Sequence, residues 1–190
     1  CAAAWAAAAT SAAVVHVCGL VMVSDEGLLS WTAGEVTRLT GLDLPTGVRP
    51  NDGKCDPEGR LWFGTMDLET TKPIAALFTY DGLDVRLVES GIVLSNGLGW
   101  SPEGDVFYHT DTIRRHIYRY DYDTATGSAT DRMVLVDFGD VEEAPDGLAV
   151  DVEAVAGLDL DGGDSAAHQR PEPRPGRLDQ LVEACLASGA

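Results

Sequence analysis

Short apolar runs, rich in β-branched and aromatic residues and set apart by polar turn residues, recur along most of this chain. Val14-Val15-His16-Val17-Cys18-Gly19-Leu20-Val21-Met22-Val23 comes first, broken by its glycine. Leu61-Trp62-Phe63, Ala76-Leu77-Phe78-Thr79-Tyr80-Asp81, Val106-Phe107-Tyr108, His116-Ile117-Tyr118-Arg119-Tyr120-Asp121 and Val134-Leu135-Val136 follow. Such side chains pack well on a pleated surface, so each run predicts a strand. Nothing in the repeated region has the spacing of an amphipathic helix.

The runs form a repeat. Asn51-Asp52-Gly53-Lys54-Cys55-Asp56-Pro57-Glu58-Gly59-Arg60-Leu61-Trp62-Phe63 aligns without gaps with Asn96-Gly97-Leu98-Gly99-Trp100-Ser101-Pro102-Glu103-Gly104-Asp105-Val106-Phe107-Tyr108. Asp146-Gly147-Leu148-Ala149-Val150-Asp151-Val152-Glu153 begins a third copy. Each copy reads as strand, turn, strand, with Pro-Glu-Gly as the turn because Pro presets φ and Gly accepts a positive one. Leu20 to Trp31 repeats the pattern more loosely, and Asp123-Thr124-Ala125-Thr126-Gly127 lengthens the later loop. Four-stranded units of roughly 45 residues predict β-propeller blades, with a sandwich carrying a coincidental repeat as the rival.

Composition narrows the class. A 45% hydrophobic chain of 190 residues can bury a real core. With 31 acidic against 13 basic residues its formal charge is −18, which argues against binding to a phosphate backbone. The acid either attracts cations or simply solvates the surface. Cys1, Cys18, Cys55 and Cys185 have no metal-like spacing, so reduced thiols in a cytoplasmic protein are expected. Ala2 to Ser24 is uncharged, yet alanine is barely apolar and no basic residue precedes it. Neither a membrane span nor a signal peptide is expected.

Equivalent repeat positions lie at equivalent heights around a propeller axis. Asn51, Asn96 and Asp146 share one phase and are expected to converge at one end of the channel. Their oxygens suit a hard cation, whereas no comparable His or Cys set exists for zinc. Asn-Gly and Asp-Gly are also ordinary turn dipeptides, which is the competing reading. At Asn51 the polar residue persists although Asp52 separates it from its glycine.

Several stretches together resemble the signatures of the SMP-30/gluconolactonase (regucalcin-like) family. They are Arg49-Pro50-Asn51-Asp52-Gly53-Lys54, Gly64-Thr65-Met66, Leu94-Ser95-Asn96-Gly97-Leu98-Gly99-Trp100-Ser101, Tyr108-His109-Thr110-Asp111-Thr112, Tyr120-Asp121-Tyr122 and Pro145-Asp146-Gly147. The resemblance implies an all-β, six-bladed propeller and metal-dependent hydrolysis of a sugar lactone. It implies one divalent cation, Ca²⁺ first and Zn²⁺, Mn²⁺ or Mg²⁺ otherwise, held by Asn96 and Asp146. Asp146 would also serve as general base, and Arg49, Asn51 and Glu69 would contact substrate. Asp111 is read as holding a strand end or joining the polar network of the channel, with no chemistry assigned, and His109 and His116 as packing or surface residues.

Two features depart from the family pattern. The early Glu expected as first metal ligand has no counterpart, since the first acidic residue is Asp25. After Glu153 the motif dissolves into an acidic and then Pro/Arg-rich run. The organisation expected is therefore an Ala-rich lead-in over residues 1–13, a partial propeller of three to four blades over 14–153, and a divergent, largely disordered tail over 154–190. A disturbed reading frame between about Ala154 and Pro175 is the other account of that tail, because Gly176 to Glu183 again resembles a family strand pair. A non-catalytic calcium-binding or interaction propeller, or a truncated inactive product, stands as the alternative to the enzyme.

Overall fold

The computed structural model describes the backbone of residues 12–16 and all atoms of residues 19–140 and 144–151. The remainder of the expected lead-in, the tail, His168 and three of the four cysteines lie outside the described residues; Cys55 is a free thiol. Twelve strands form three four-stranded sheets, each antiparallel and each wound in chain order. Blade 1 comprises β1 (Ala12–His16), β2 (Gly19–Ser24), β3 (Gly27–Thr32) and β4 (Glu35–Thr40). Blade 2 comprises β5 (Val48–Cys55), β6 (Leu61–Asp67), β7 (Ala75–Tyr80) and β8 (Val85–Ile92). Blade 3 comprises β9 (Ser95–Trp100), β10 (Val106–Asp111), β11 (His116–Asp123) and β12 (Ser128–Asp137). This is a β-propeller, with the first strands β1, β5 and β9 packed side by side as the inner ring. Among the described residues there is no helix, and so none that is long and apolar enough to cross a membrane.

The turns form as their residues dictate. Gly59 and Gly104 take φ of 86° and 74°, and their N–H groups donate to Asp56 O and Ser101 O at 3.0 and 2.9 Å. The polar residue before each Pro reinforces its turn. Asp56 Oδ1 accepts from the backbone of Glu58 and Arg60, and Ser101 Oγ accepts from that of Asp105 and Val106. The third copy differs from expectation: residues 144–151 have no assigned strand.

Strand alternation builds the core. Successive side chains point to opposite faces, so in β6 Phe63 enters one inter-blade interface and Trp62 the other. Phe63 packs with Val23, Leu28 and Tyr80 against blade 1, stacking on Phe78 at 5.3 Å. Trp62 packs with Trp100, Phe107 and Tyr122 against blade 3, its ring 4.8 Å from that of Phe107. Every residue of β6 is buried as a result, while the outermost strands β4 and β12 are mostly exposed.

A buried polar clamp ties the same interface at its rim. Asp56 Oδ2 accepts from Tyr122 Oη at 2.6 Å and from Arg60 Nε at 2.5 Å. Arg60 also donates to Thr124 O and, at 3.2 Å, to Ala125 O. Burial, then the Asp56 carboxylate, pushes the Tyr122 hydroxyl well above its ordinary pKa, so it stays a donor. Trp62→Ala should lower stability by about 3–5 kcal/mol, the range for truncating a fully buried large aromatic. A urea-unfolding midpoint within error of the parent would contradict the interface described here.

Candidate functional site

The inner strands β5 and β9 each carry a bulge at the repeat position. In β5 the pairing with β6 skips from Pro50 to Gly53, leaving Asn51 and Asp52 without ladder partners. In β9 it skips Gly97, with Asn96 opposite Thr110 and Leu98 opposite His109. Bulges re-aim side chains, and here they turn Asn51 and Asn96 out of the regular pleat. The Asn-Gly and Asp-Gly stretches of these strands are therefore not hairpin turns. Gly97 is a close-approach residue: a Cβ there would lie 2.8 Å from Asp146 O and 2.7 Å from Leu148 Cβ.

That approach brings the third repeat to the other two. Gly97 N–H donates to Asp146 O at 3.1 Å. Thr112, in the β10–β11 turn, donates its hydroxyl to Pro145 O at 2.8 Å and accepts Asn96 Nδ2 at 3.1 Å. Holding the amide nitrogen this way directs Asn96 Oδ1 to the opposite side. Asn51 Nδ2 crosses between blades to Ser95 O at 2.8 Å. Arg49 donates to Pro50 O at 2.8 Å and to Asn51 Oδ1 at 3.4 Å. Arg49, Asn51, Asn96 and Asp146 are all half-buried, and hydrogen bonds through Ser95, Thr112 and Pro145 link them.

Glu69 does not join this network. It is exposed in the β6–β7 turn and pairs with Lys72 at 3.8 Å. Asp111 is fully buried at the end of β10 and takes the backbone and guanidinium of Arg114, both at 3.3 Å, which is the strand-end role of the two expected for it. His116 is half-buried beside Tyr118.

Sequence reasoning missed Asp52, Ser95 and Thr112 as parts of the site. Asp52 is buried, its Oδ1 accepting the Gly53 N–H at 2.6 Å. Burial, then the charge of Asp146, pushes its carboxyl up to about 7, against the opposing pull of the Gly53 N–H and Lys54. Asp52 and Asp146 thus lie close enough to feel one another's charge, and the Asp146 carboxylate and the Asn96 amide oxygen are donors of the kind that suits a hard cation. Among the described residues no three His, Cys, Asp or Glu side chains converge, so amide oxygens belong to any such site. The one sequence signal for Asp52 is that it interrupts the Asn-Gly dipeptide, and local pattern gives no reason to expect it beside Asp146.

Because folding raises the Asp52 pKa from 3.8, stability is lost as pH climbs through about 7, where the buried group must ionise. In the presence of chelator, Asp52→Asn should match the parent at pH 4 and exceed it at pH 8. The distance from 3.8 to about 7 caps that gain at about 4 kcal/mol. Thermal melts at the two pH values measure it, and equal differences at both would refute the electrostatic account.

Comparison with known proteins agrees with this architecture. The family model described as "SMP-30/Gluconolactonase/LRE-like region" matches residues 3–156. Regucalcin of Danio rerio is 31% identical over 159 residues, covering 82% of this chain and 53% of its own. Pentonolactonase XacC of Haloferax volcanii is 38% identical over 110 residues, 58% of this chain and 37% of its own. The crystal structure of a calcium-binding protein, regucalcin, from Agrobacterium tumefaciens superposes with a TM-score of 0.70 at 29% identity. That match covers 75% of this chain and 50% of the other. The chain spans about half the length, or less, of the curated relatives it matches. The repeat, the bulged inner strands and these matches together establish that the chain belongs to the SMP-30/gluconolactonase/LRE-like family.

Proposed function

We propose that this chain carries the site of a divalent-cation-dependent lactonase that opens a sugar lactone to its hydroxy acid. The observation that supports it is the tether from Gly97 N–H to Asp146 O, which sets the Asp146 backbone beside Asn96 although 50 positions separate the two residues. A relative named as a pentonolactonase supports the substrate class.

Asn96 Oδ1 and the Asp146 carboxylate are the residues that would hold the cation, with Ca²⁺ the first choice for oxygen donors and Zn²⁺, Mn²⁺ and Mg²⁺ the others to try. When bound, the cation polarises the ester carbonyl and offsets the negative charge that develops on its oxygen. Asp146 acts as general base. It takes a proton from the attacking water as the new C–O bond forms, and the ring oxygen receives that proton as the acyl C–O bond breaks. Arg49 aligns the ring by donating to a hydroxyl or carboxylate, and Asn51, fixed by Ser95 O, presents its amide oxygen to the same ring. Glu69 is assigned as an outer substrate contact on the strength of the family resemblance. The excess of acidic residues keeps the region attractive to cations.

A second reading, cation binding without hydrolysis, draws on the relative described as a calcium-binding protein. The experiment separates the two. Ring opening of a pentono- or hexonolactone, followed by acid release, should stop with chelator and return on adding metal. Asp146→Ala should lower the rate at least about 100-fold with the fold retained. Asn96→Ala should raise the cation concentration needed for half-activity about tenfold or more. Calcium binding without turnover favours the second reading, and turnover that survives both chelator and Asp146→Ala sinks the mechanism.

A further inference from the structure

Ser95 sits where the two amides of the site meet. Its carbonyl oxygen takes Asn51 Nδ2 from blade 2, and its peptide leads directly into Asn96. Its hydroxyl meets Nε2 of His109, on β10 of the same blade, at 2.8 Å. From the other side it presses on the β6 backbone: a Cβ at Gly64 would stand 1.8 Å from Ser95 Oγ. Ser95 therefore has one position available, and the imidazole is the polar group that anchors its side chain.

A Ser–His contact suggests a nucleophile, but this one is sealed. Ser95 is 0% and His109 1% exposed, and His109 Nδ1 has no hydrogen-bond partner. Among the described residues no carboxylate orients the ring as nucleophilic catalysis requires. The ring lies parallel to Phe107 at 6.3 Å. Burial, then the charge of Arg132, pulls His109 down to about 3, so it is a neutral hydrogen-bonding group at ordinary pH. An apolar residue would fill this place at lower electrostatic cost, since one ring nitrogen stays unpaired in a buried site.

We propose that His109 is a positioning residue: through Ser95 it sets the placement of Asn51 for substrate and of Asn96 for the cation. The kinetic part of this rests on the lactonase reading above, whereas the positioning itself does not. His109→Leu should raise both KM for the lactone and the cation concentration for half-activity about tenfold, the worth of one lost buried hydrogen bond. His109→Gln, whose amide can reach Ser95 Oγ, should return both to within about threefold of the parent. Ser95→Ala removes the hydroxyl with little change in volume and should resemble His109→Leu, which keeps the test available if the leucine variant folds poorly.

The Asn51 side-chain amide reads positioning without catalysis. In ¹⁵N–¹H spectra its Nδ2 protons should be shifted and slow to exchange in the parent and in His109→Gln. In His109→Leu and Ser95→Ala they should move to solvent-exposed values. Melting temperatures that fall while KM, cation requirement and Asn51 signals stay unchanged would overturn the proposal and leave a purely structural histidine. Absence of turnover in the parent would defeat the lactonase reading alone, with the Asn51 signals still deciding the role of His109.

Discussion

Each blade must present an apolar face to the neighbours on both sides, and the rest of this structure follows from that constraint. A strand meets it through its period of two. In β6 the consecutive residues Trp62 and Phe63 anchor opposite interfaces, Trp62 among Trp100, Phe107 and Tyr122 and Phe63 among Val23, Leu28 and Tyr80. These interfaces are dense in aromatic edge and face contacts, which bury large areas with defined geometry. The Asp56–Arg60–Tyr122 clamp at the rim closes the blade 2–blade 3 interface where the apolar contact ends. On the outer strands, Glu89 of β8 meets Tyr120 and Arg132 in the same way. The two networks pair the carboxylates of Asp56 and Glu89 with phenol and guanidinium donors where the sheets stack, while the indole nitrogens of Trp62 and Trp100 stay unpaired in the same interface.

Stacking the blades also determines where chemistry can occur. The inner strands are brought side by side, so features repeated in them are repeated around one axis. A bulge at the same phase of β5 and β9 turns two carboxamides out of their ladders, and the bare Cα of Gly97 admits the backbone of Asp146. The resulting cluster is held by hydrogen bonds that use amide nitrogens and hydroxyls, as in Asn96 to Thr112 and Asn51 to Ser95. Under the proposed function, Oδ1 of Asn96 and the side-chain carboxylate of Asp146 would be the atoms left to face a cation. Rigid strands supply the positions here, which favours precise placement over adaptability.

Electrostatics works against the fold at this point. Asp52 is buried close enough to Asp146 to feel its charge, and its carboxyl resists ionisation. Such an arrangement costs stability, and a positive charge placed beside it, as the proposed cation would be, would relieve that cost and couple binding to folding. A chain of net charge −18 carries the same tendency over its whole surface.

Much of this was legible in the residues themselves. The repeat of about 45 positions, the Pro-Glu-Gly turns, the aromatic strands and the shared phase of Asn51, Asn96 and Asp146 are properties of local sequence, because turn geometry and strand alternation act over a few residues. Their periodicity was enough to predict blades and one common end. The tertiary structure decided what local pattern leaves open. It made the Asn-Gly dipeptide of β9 a bulge rather than a turn, left Glu69 exposed with Lys72, set Asp52 near Asp146 and placed His109 against Ser95. Each of these depends on which blade faces which, and contacts such as that of Asn51 with Ser95, 44 positions apart, arise only when apolar faces stack and bring distant backbones together.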